Sequence, residues 1–322
     1  MIRVAINGYG NIGKGVEKAV NAAPDMELRA VFTRRDAASL RIRSDNVPVL
    51  HIDDAEGMAA DIDVMVLCGG SATDLKEQGP RFAAMFNTVD SYDNHALIPE
   101  YLAAIDAVAL NTTAVISCGW DPGLFSLLRL TSEAALPDGR YYTFWGRGVS
   151  QGHSDAIRRI DGVKGAVQYT IPIESALDSV RSGARPELTT REKHLRECFV
   201  VALPGAATKK IEETIKSMPN YFADYDTTVT FIDEDALKAD HSKMPHGGAV
   251  IYSGRTGINE HVIEYSLKLD SNPEFTGSVM AAYARAAYRM SRDGIFGAKT
   301  VFDIPPVYLS WKDRSTLIKE LL

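Results

Sequence analysis

The sequence predicts an α/β fold: an N-terminal doubly wound parallel sheet, followed by a second α+β domain carrying a mixed or antiparallel sheet. Three observations predict it. The chain has 322 residues, long for one hydrophobic core, so two domains are the natural expectation. Short apolar runs alternate with helical periodicity up to residue 118, the pattern of a parallel sheet covered on both faces. Beyond Gly119 the pattern changes to segments of two-residue alternation interspersed with helices.

The elements follow in order. Ile2 to Ile6 is an apolar strand, and Ile12, Val16, Ala19, Val20 and Ala23 then recur at helical spacing until Pro24-Asp25. Leu28 to Phe32 is a second strand. Val64 to Cys68 is a run of the doubly buried kind, and Ser71 or Thr73 is expected to cap a helix bearing Leu75, Phe82 and Met85. Thr88-Val89-Asp90 begins another strand, Pro99 to Leu110 a helix, and Ala114 to Ser117 a strand. In the second half, helices are expected at Leu124 to Leu136 and Ala206 to Met218. Strands are expected at Tyr141 to Trp145, Ala166 to Ile173, Glu197 to Ala202, Thr227 to Ile232, Ala249 to Ser253 and Val262 to Leu269. Phe275 to Met290 is a helix, Val301 to Pro306 an extended segment, and Trp311 to Leu322 a last helix capped by Ser310. Domains are therefore drawn at 1–118, 119–293 and 294–322, the last packing back on the first.

Composition narrows the function classes. A formal charge of −7 argues against a broad nucleic-acid-binding surface. No apolar run reaches the ~20 residues of a membrane helix. Three cysteines sit in or at the end of apolar runs without metal-ligand spacing, so no metal site is expected and a cytoplasmic location is. No leader precedes the first strand in this sequence.

Gly8-Tyr9-Gly10-Asn11-Ile12-Gly13 lies between strand and helix, the context in which a glycine motif binds a dinucleotide. Gly8 permits the tight turn, Gly10 the approach of a pyrophosphate, and Gly13 the packing of helix on strand. The helix N-terminus faces the phosphates with N–H groups and a positive dipole end. At the end of the second strand, Thr33-Arg34-Arg35 stands where NAD enzymes usually carry an acid. Two guanidiniums and a hydroxyl suit the 2′-phosphate of NADP. Asp36 follows, and a slipped register would offer it to a ribose instead.

Ligands of an open parallel sheet lie beyond the carboxyl ends of its strands. There the chain carries Gly69-Gly70-Ser71-Ala72-Thr73-Asp74, Asp90-Ser91-Tyr92-Asp93-Asn94-His95 and Cys118-Gly119-Trp120-Asp121-Pro122-Gly123. Asp93 and Asp121 are candidates to hold an ammonium or to act as a base. Each precedes a helical segment, so capping is the alternative reading. In the second half Trp145, the loop Ser150-Gln151-Gly152-His153, Thr170, Arg196, the loop Met244-Pro245-His246 and Asn272 are polar or aromatic candidates, each with an ordinary structural explanation taken singly.

Together these stretches resemble the meso-diaminopimelate D-dehydrogenase family over nearly the whole chain. The matching motifs run from Gly8-Tyr9-Gly10-Asn11 and Thr33-Arg34-Arg35 through Gly70 to Asp74, Val89 to His95 and Gly119 to Gly123. They continue through Ser150 to Asp155, Gln168-Tyr169-Thr170, Met244 to Gly248 and the loop at Asn272. The resemblance implies reversible NADP-dependent oxidation of the D-centre of meso-diaminopimelate to L-2-amino-6-oxopimelate and ammonia. It implies that Asp93, Trp120, Asp121, Trp145, Gln151 and Gly152 surround the reacting D-centre, with Asp93 and Asp121 the catalytic acids. Thr170, Arg196, His246 and Asn272 would hold the distal L-centre, Arg196 pairing a carboxylate. The glycine turn, Thr33 to Arg35, Ser71 to Asp74, Ser91 to Asp93 and Asp121 to Gly123 would contact NADP, and the protein would be a homodimer joined through its second domain. Two departures stand out: Gly69-Gly70 replaces a bulkier residue expected at that turn, and Ile12 lies in the phosphate loop. The alternatives are another NADP-dependent amino-acid dehydrogenase or reductase of related fold, or a dinucleotide sensor without catalysis.

Overall fold

The computed structural model describes all 322 residues. Along the chain the first strands are β1 (Ile2–Asn7), β2 (Met26–Thr33), β3 (Val49–His51), β4 (Val64–Leu67), β5 (Asn87–Asp90) and β6 (Thr113–Val115). They continue with β7 (Asp138–Trp145), β8 (Gly148–Val149), β9 (Val163–Pro172), β10 (His194–Ala202) and β11 (Asp226–Phe231). The last are β12 (His246–Thr256), β13 (Asn259–Leu269) and β14 (Gly297–Lys299). The chain divides into two compact units, the first comprising Met1–Leu127 and Pro273–Leu322, the second Leu128–Asn272. Against the boundaries drawn at 118/119 and 293/294, the helix Leu124–Ala135 opens in the first unit, and nearly all of the helix Asn272–Arg292 belongs to it.

In the first unit seven strands form one parallel sheet in the order β14-β6-β5-β4-β1-β2-β3. The alternation of side chains accounts for helices on both faces. Val64 and Val66 point into one core with Val4, Ile6, Val16 and Val20, joined by Met280, Tyr283 and Ala287 of the helix Asn272–Arg292. Met65 and Leu67 point into the other, with Phe82, Tyr101 and Ile105. A Cβ at Gly15 would lie 2.5 Å from the Pro273 carbonyl oxygen, and one at Gly277 would lie 2.5 Å from Gly15. Both glycines thus allow the helices Asn11–Ala22 and Asn272–Arg292 to cross in backbone contact.

The C-terminal stretch differs from its sequence reading. The strand is β14, which begins four residues before the expected extended segment and ends ahead of it, and Val301–Asp303 is a 3₁₀ turn capped by Thr300. The last helix is Arg314–Leu321, and its cap is Asp313, which accepts the Thr316 N–H at 2.9 Å, not Ser310. Arg285 pairs with Asp25 at 2.7 Å and donates to the Leu309 carbonyl at 2.9 Å, fastening this tail.

The second unit has two sheets. One is mixed, β11-β10-β9-β8, with β10 and β11 parallel; the other, β13-β12-β7, is antiparallel. No helix of either unit is long and apolar enough to cross a membrane.

Candidate active site

In the first unit the glycine turn leaves β1 beside the end of β4, where the strand order reverses. Ligands of open parallel sheets bind at such a point. Gly8 has φ +93°, and a Cβ there would meet the Cys68 carbonyl carbon at 3.3 Å. At Gly13 a Cβ would lie 2.2 Å from the Gly8 oxygen, so helix and turn demand both glycines. Gly10 is different: beyond its immediate chain neighbours, no atom lies within 4 Å of where its Cβ would be. The space it leaves, at the start of the helix Asn11–Ala22, suits a bound pyrophosphate, so the turn fits a dinucleotide. Ile12 is half-buried against the core and does not occupy that space. Tyr9 is buried, its hydroxyl bonded to Glu17. Glu17 also accepts the N–H groups of Arg43 and Ser44 at 2.9 and 2.7 Å, tying the loop after β2 to the turn.

β2 ends at Thr33, whose hydroxyl accepts the Arg35 N–H at 3.1 Å. Arg34 and Arg35 are exposed beyond it, while Asp36 turns back to accept the Ala38 N–H at 3.0 Å. The strand end therefore presents cations, and its acid is spent on a local turn. Arg34 pairs with Asp74 at 2.7 Å, and Asp74 also accepts the Gly70 N–H at 3.0 Å. A Cβ at Gly69 would lie 2.7 Å from the Asp74 Cβ, so this glycine lets the Asp74 side chain lie close over the turn. Neither Ser71 nor Thr73 caps the next helix, Leu75–Ala83, which follows Asp74. The Gly70 carbonyl takes the Asp74 and Leu75 N–H groups, and the Ser71 hydroxyl instead accepts the Asp93 N–H at 3.1 Å. That bond links two of the strand-end loops. Asp93 is exposed and caps no helix.

The third loop is held tightly. The Asp121-Pro122 peptide is cis, Gly123 has φ +132°, and a Cβ at Gly123 would fall 1.8 Å from the Gly119 oxygen. Trp120 is buried, its ring edge-on to Phe125 at 5.4 Å. Beneath both loops lies Asp90, 1% exposed, which the sequence places at the strand end without a role in the site. Burial raises its pKa to about 6, against three hydrogen bonds that favour the anion.

In the second unit Thr170, Arg196 and Thr227 stand directly opposite one another on β9, β10 and β11. Arg196 is 5% exposed, bonds the Thr170 hydroxyl, and has the Tyr225 ring 3.9 Å from its guanidinium carbon. Its Nε, the Gln168 Oε1 and the Thr227 Oγ1 are buried without a hydrogen-bond partner. Buried polar atoms are ordinarily paired, so three orphans in one neighbourhood mark a place for a polar ligand. His194 accepts the Trp145 N–H on Nε2 at 2.8 Å and stacks on the indole at 5.2 Å. His246 Nδ1 accepts the Gly247 N–H at 2.8 Å, and a Cβ at Gly148 would strike its ring at 2.4 Å. Ser150 caps the helix Gln151–Arg158, whose first turn exposes Gln151 and Gly152. The Asn272 N–H donates to the Met244 carbonyl at 3.0 Å, joining the two loops expected at the distal centre.

Tyr225, Gln168, Thr227 and His194 were not singled out as site residues from sequence. Gln168 and Thr170 alternate onto one face of β9, a signal that was present; the others depend on register across strands.

Electrostatics simplify this pocket. Burial, and then the Arg196 charge, push His153 and His194 down to about 3, and burial lowers His246 as well. At neutral pH the three imidazoles are uncharged, and Arg196 is the buried cation beside them. This has a stability consequence. An unfolded histidine titrates near 6.5, so below that pH the unfolded chain takes up protons that folded His153 and His194 refuse. Their contribution is complete above about pH 6.5 and is lost on acidification, by roughly 1.4 kcal/mol per pH unit for each histidine. Asp90 acts oppositely, because its raised pKa makes the folded state gain on acidification between about pH 6 and 4. Together they predict a net loss of about 3 kcal/mol between pH 7 and 5, read from urea denaturation midpoints. Equal stability at the two pH values would contradict neutral buried imidazoles.

Residues 119–271 match the family model described as the diaminopimelic acid dehydrogenase C-terminal domain. The chain is 62% identical to the meso-diaminopimelate D-dehydrogenase of Ureibacillus thermosphaericus, covering 100% of this chain and 99% of the relative. It is similar to the DAP dehydrogenase of Corynebacterium glutamicum solved in complex with DAP, at 47% identity and a TM-score of 0.94 over 100% of this chain and 99% of that one. An engineered D-amino acid dehydrogenase bound to NADP+ is 45% identical with a TM-score of 0.89, again covering 100% and 99%. With relatives of that identity matched end to end, the chain belongs to the meso-diaminopimelate D-dehydrogenase family.

Proposed function

We propose that this protein oxidises the D-centre of meso-2,6-diaminopimelate with NADP+, yielding L-2-amino-6-oxopimelate, ammonia and NADPH. The observation that carries the reading is Arg196, a buried cation with an orphaned Nε among neutral imidazoles. Such a pocket suits one carboxylate at the far end of a long substrate, and a small amino acid would leave it empty.

NADP+ supplies the acceptor for the hydride that leaves the D-Cα. The chain holds it through the turn Gly8 to Gly13, Thr33 to Arg35 at the 2′-phosphate, and the loops Ser71 to Asp74, Ser91 to Asp93 and Asp121 to Gly123. Asp93 and Asp121 hold the D-ammonium and take its proton as the C–N bond becomes an imine. Water then adds to the imine carbon and ammonia departs. Trp120, Trp145, Gln151 and Gly152 orient the D-centre; Thr170, Arg196, His246 and Asn272 fix the L-centre, so that one enantiotopic end is presented. Most of the rate enhancement on this reading is positioning. Exposed Tyr141 and Tyr265, which the strand register places on one face of the β7-β12-β13 sheet, support a homodimer joined through the second unit.

The test is reduction of NADP+ at alkaline pH with meso-, LL- or DD-diaminopimelate supplied separately. Turnover of the meso isomer, with little from the LL form and little with NAD+, is the expected outcome. A protein inert towards the meso isomer would refute the assignment.

A further inference from the structure

We propose that Asp90 is a positioning residue, whose buried carboxylate sets the spacing between the loop that carries Asp93 and the loop that carries Trp120 and Asp121. The inference rests on the function proposed above and adds a residue to its machinery. Asp90 is the last residue of β5, and its side chain reaches three other segments. Its Oδ1 accepts two backbone N–H groups, from Tyr92 at 2.9 Å and from Ser117 at 3.0 Å. Its Oδ2 accepts the Tyr101 hydroxyl at 2.8 Å. Its own carbonyl takes the Cys118 N–H at 2.9 Å and the Cys118 thiol at 3.0 Å. One residue therefore fastens the start of both loops to the sheet.

The surroundings leave it little freedom. The Tyr101 ring stacks on Tyr92 with centroids 4.1 Å apart. A Cβ at Gly79 would lie 2.2 Å from the Tyr101 hydroxyl oxygen, so the helix Leu75–Ala83 confines that donor from behind. Ser117 has φ +55°, a left-handed backbone unusual for a residue with a side chain, and its N–H is one of the two held by Oδ1. Such a conformation persists where the surroundings over-determine it.

A carboxylate with only neutral donors is a costly way to fill a core. Its pKa is pushed up by burial, and an apolar side chain would serve packing better. What an apolar side chain lacks is a single oxygen that binds N–H groups from two loops at once. The next residues outward, three beyond Asp90 and four beyond Ser117, are Asp93 and Asp121.

The test compares wild type with Asp90→Ala, Asp90→Asn and Tyr101→Phe, measuring kcat, KM and the isotope effect with substrate deuterated at the D-carbon. Positioning predicts that Asp90→Ala lowers kcat for meso-diaminopimelate by about 30-fold or more while KM changes by less than about threefold. The isotope effect should rise as hydride transfer becomes limiting. Asp90→Asn keeps an oxygen for both N–H groups and should recover kcat to within about fivefold of wild type. Tyr101→Phe removes one tie and should cost about three- to tenfold in kcat, with the isotope effect raised; it serves if Asp90→Ala does not fold. A folded Asp90→Ala or Tyr101→Phe enzyme with wild-type kcat and isotope effect overturns the proposal, as does a kcat loss that only tracks the folded fraction. A silent wild type strikes the proposed function, whereas an active wild type with indifferent variants strikes this inference alone.

Discussion

Replacing Arg196 with methionine should lower kcat/KM for meso-diaminopimelate by about 10²- to 10⁴-fold, most of it in KM. Methionine fills much of the same space, so the loss isolates the charge. Truncating one partner of a buried, hydrogen-bonded charge pair costs about 2–5 kcal/mol, largely because the other charge is left unpaired. The neighbouring imidazoles cannot substitute, because burial holds His153 and His194 neutral, and Arg191 and Lys216, which also line this cavity, are paired with Asp226 and Glu212. The control is a D-amino acid with no distal carboxylate, such as D-2-aminohexanoate, whose slower turnover should be nearly unchanged by the substitution. Kinetics in which Arg196→Met leaves meso-diaminopimelate within about threefold of wild type would remove the distal-carboxylate role.

The second large effect concerns the cofactor. Arg34→Ala with Arg35→Ala should weaken NADP+ by about 10²- to 10⁴-fold and NAD+ by no more than about threefold. Hydrogen bonds to charged groups contribute about 1.5–3 kcal/mol each, and a 2′-phosphate engages both guanidiniums where a ribose hydroxyl needs neither. The structure sharpens this by disposing of the rival. Asp36, the one acid that a slipped register would offer to a ribose, is engaged with the Ala38 N–H. Arg34 starts from a pair with Asp74 on a side chain 62% exposed, a surface contact worth little that a doubly charged phosphate can displace. Equal weakening of both cofactors in equilibrium titrations would rule the 2′-phosphate role out.

Much of the first unit was legible because buried parallel strands announce themselves as apolar runs. β1, β2, β4, β5 and β6 lie within a residue or two of where those runs place them. β3 and β14 were not legible: each has three residues at a sheet edge, too short for any periodicity. The capping expected of Ser71 and Thr73 failed for a related reason. Asp74 can fold over the loop only because Gly69 leaves room, and that room is a property of packing.

The sequence by itself determined the glycine turn between strand and helix, the two arginines after the second strand, the acids on the strand-end loops and, through the family motifs, the family and its candidate site residues. These are local patterns, and local backbone chemistry needs only neighbours in the chain. Tertiary structure alone decided that Thr170, Arg196 and Thr227 form one row, that Tyr225 lies against the guanidinium, and that the surrounding imidazoles are neutral. It alone placed Asp90 beneath two loops, one of them held at Ser117, 27 residues further along the chain. Strand register and burial are set by contacts between distant segments, and they fix both the charge a group carries and the partner it meets.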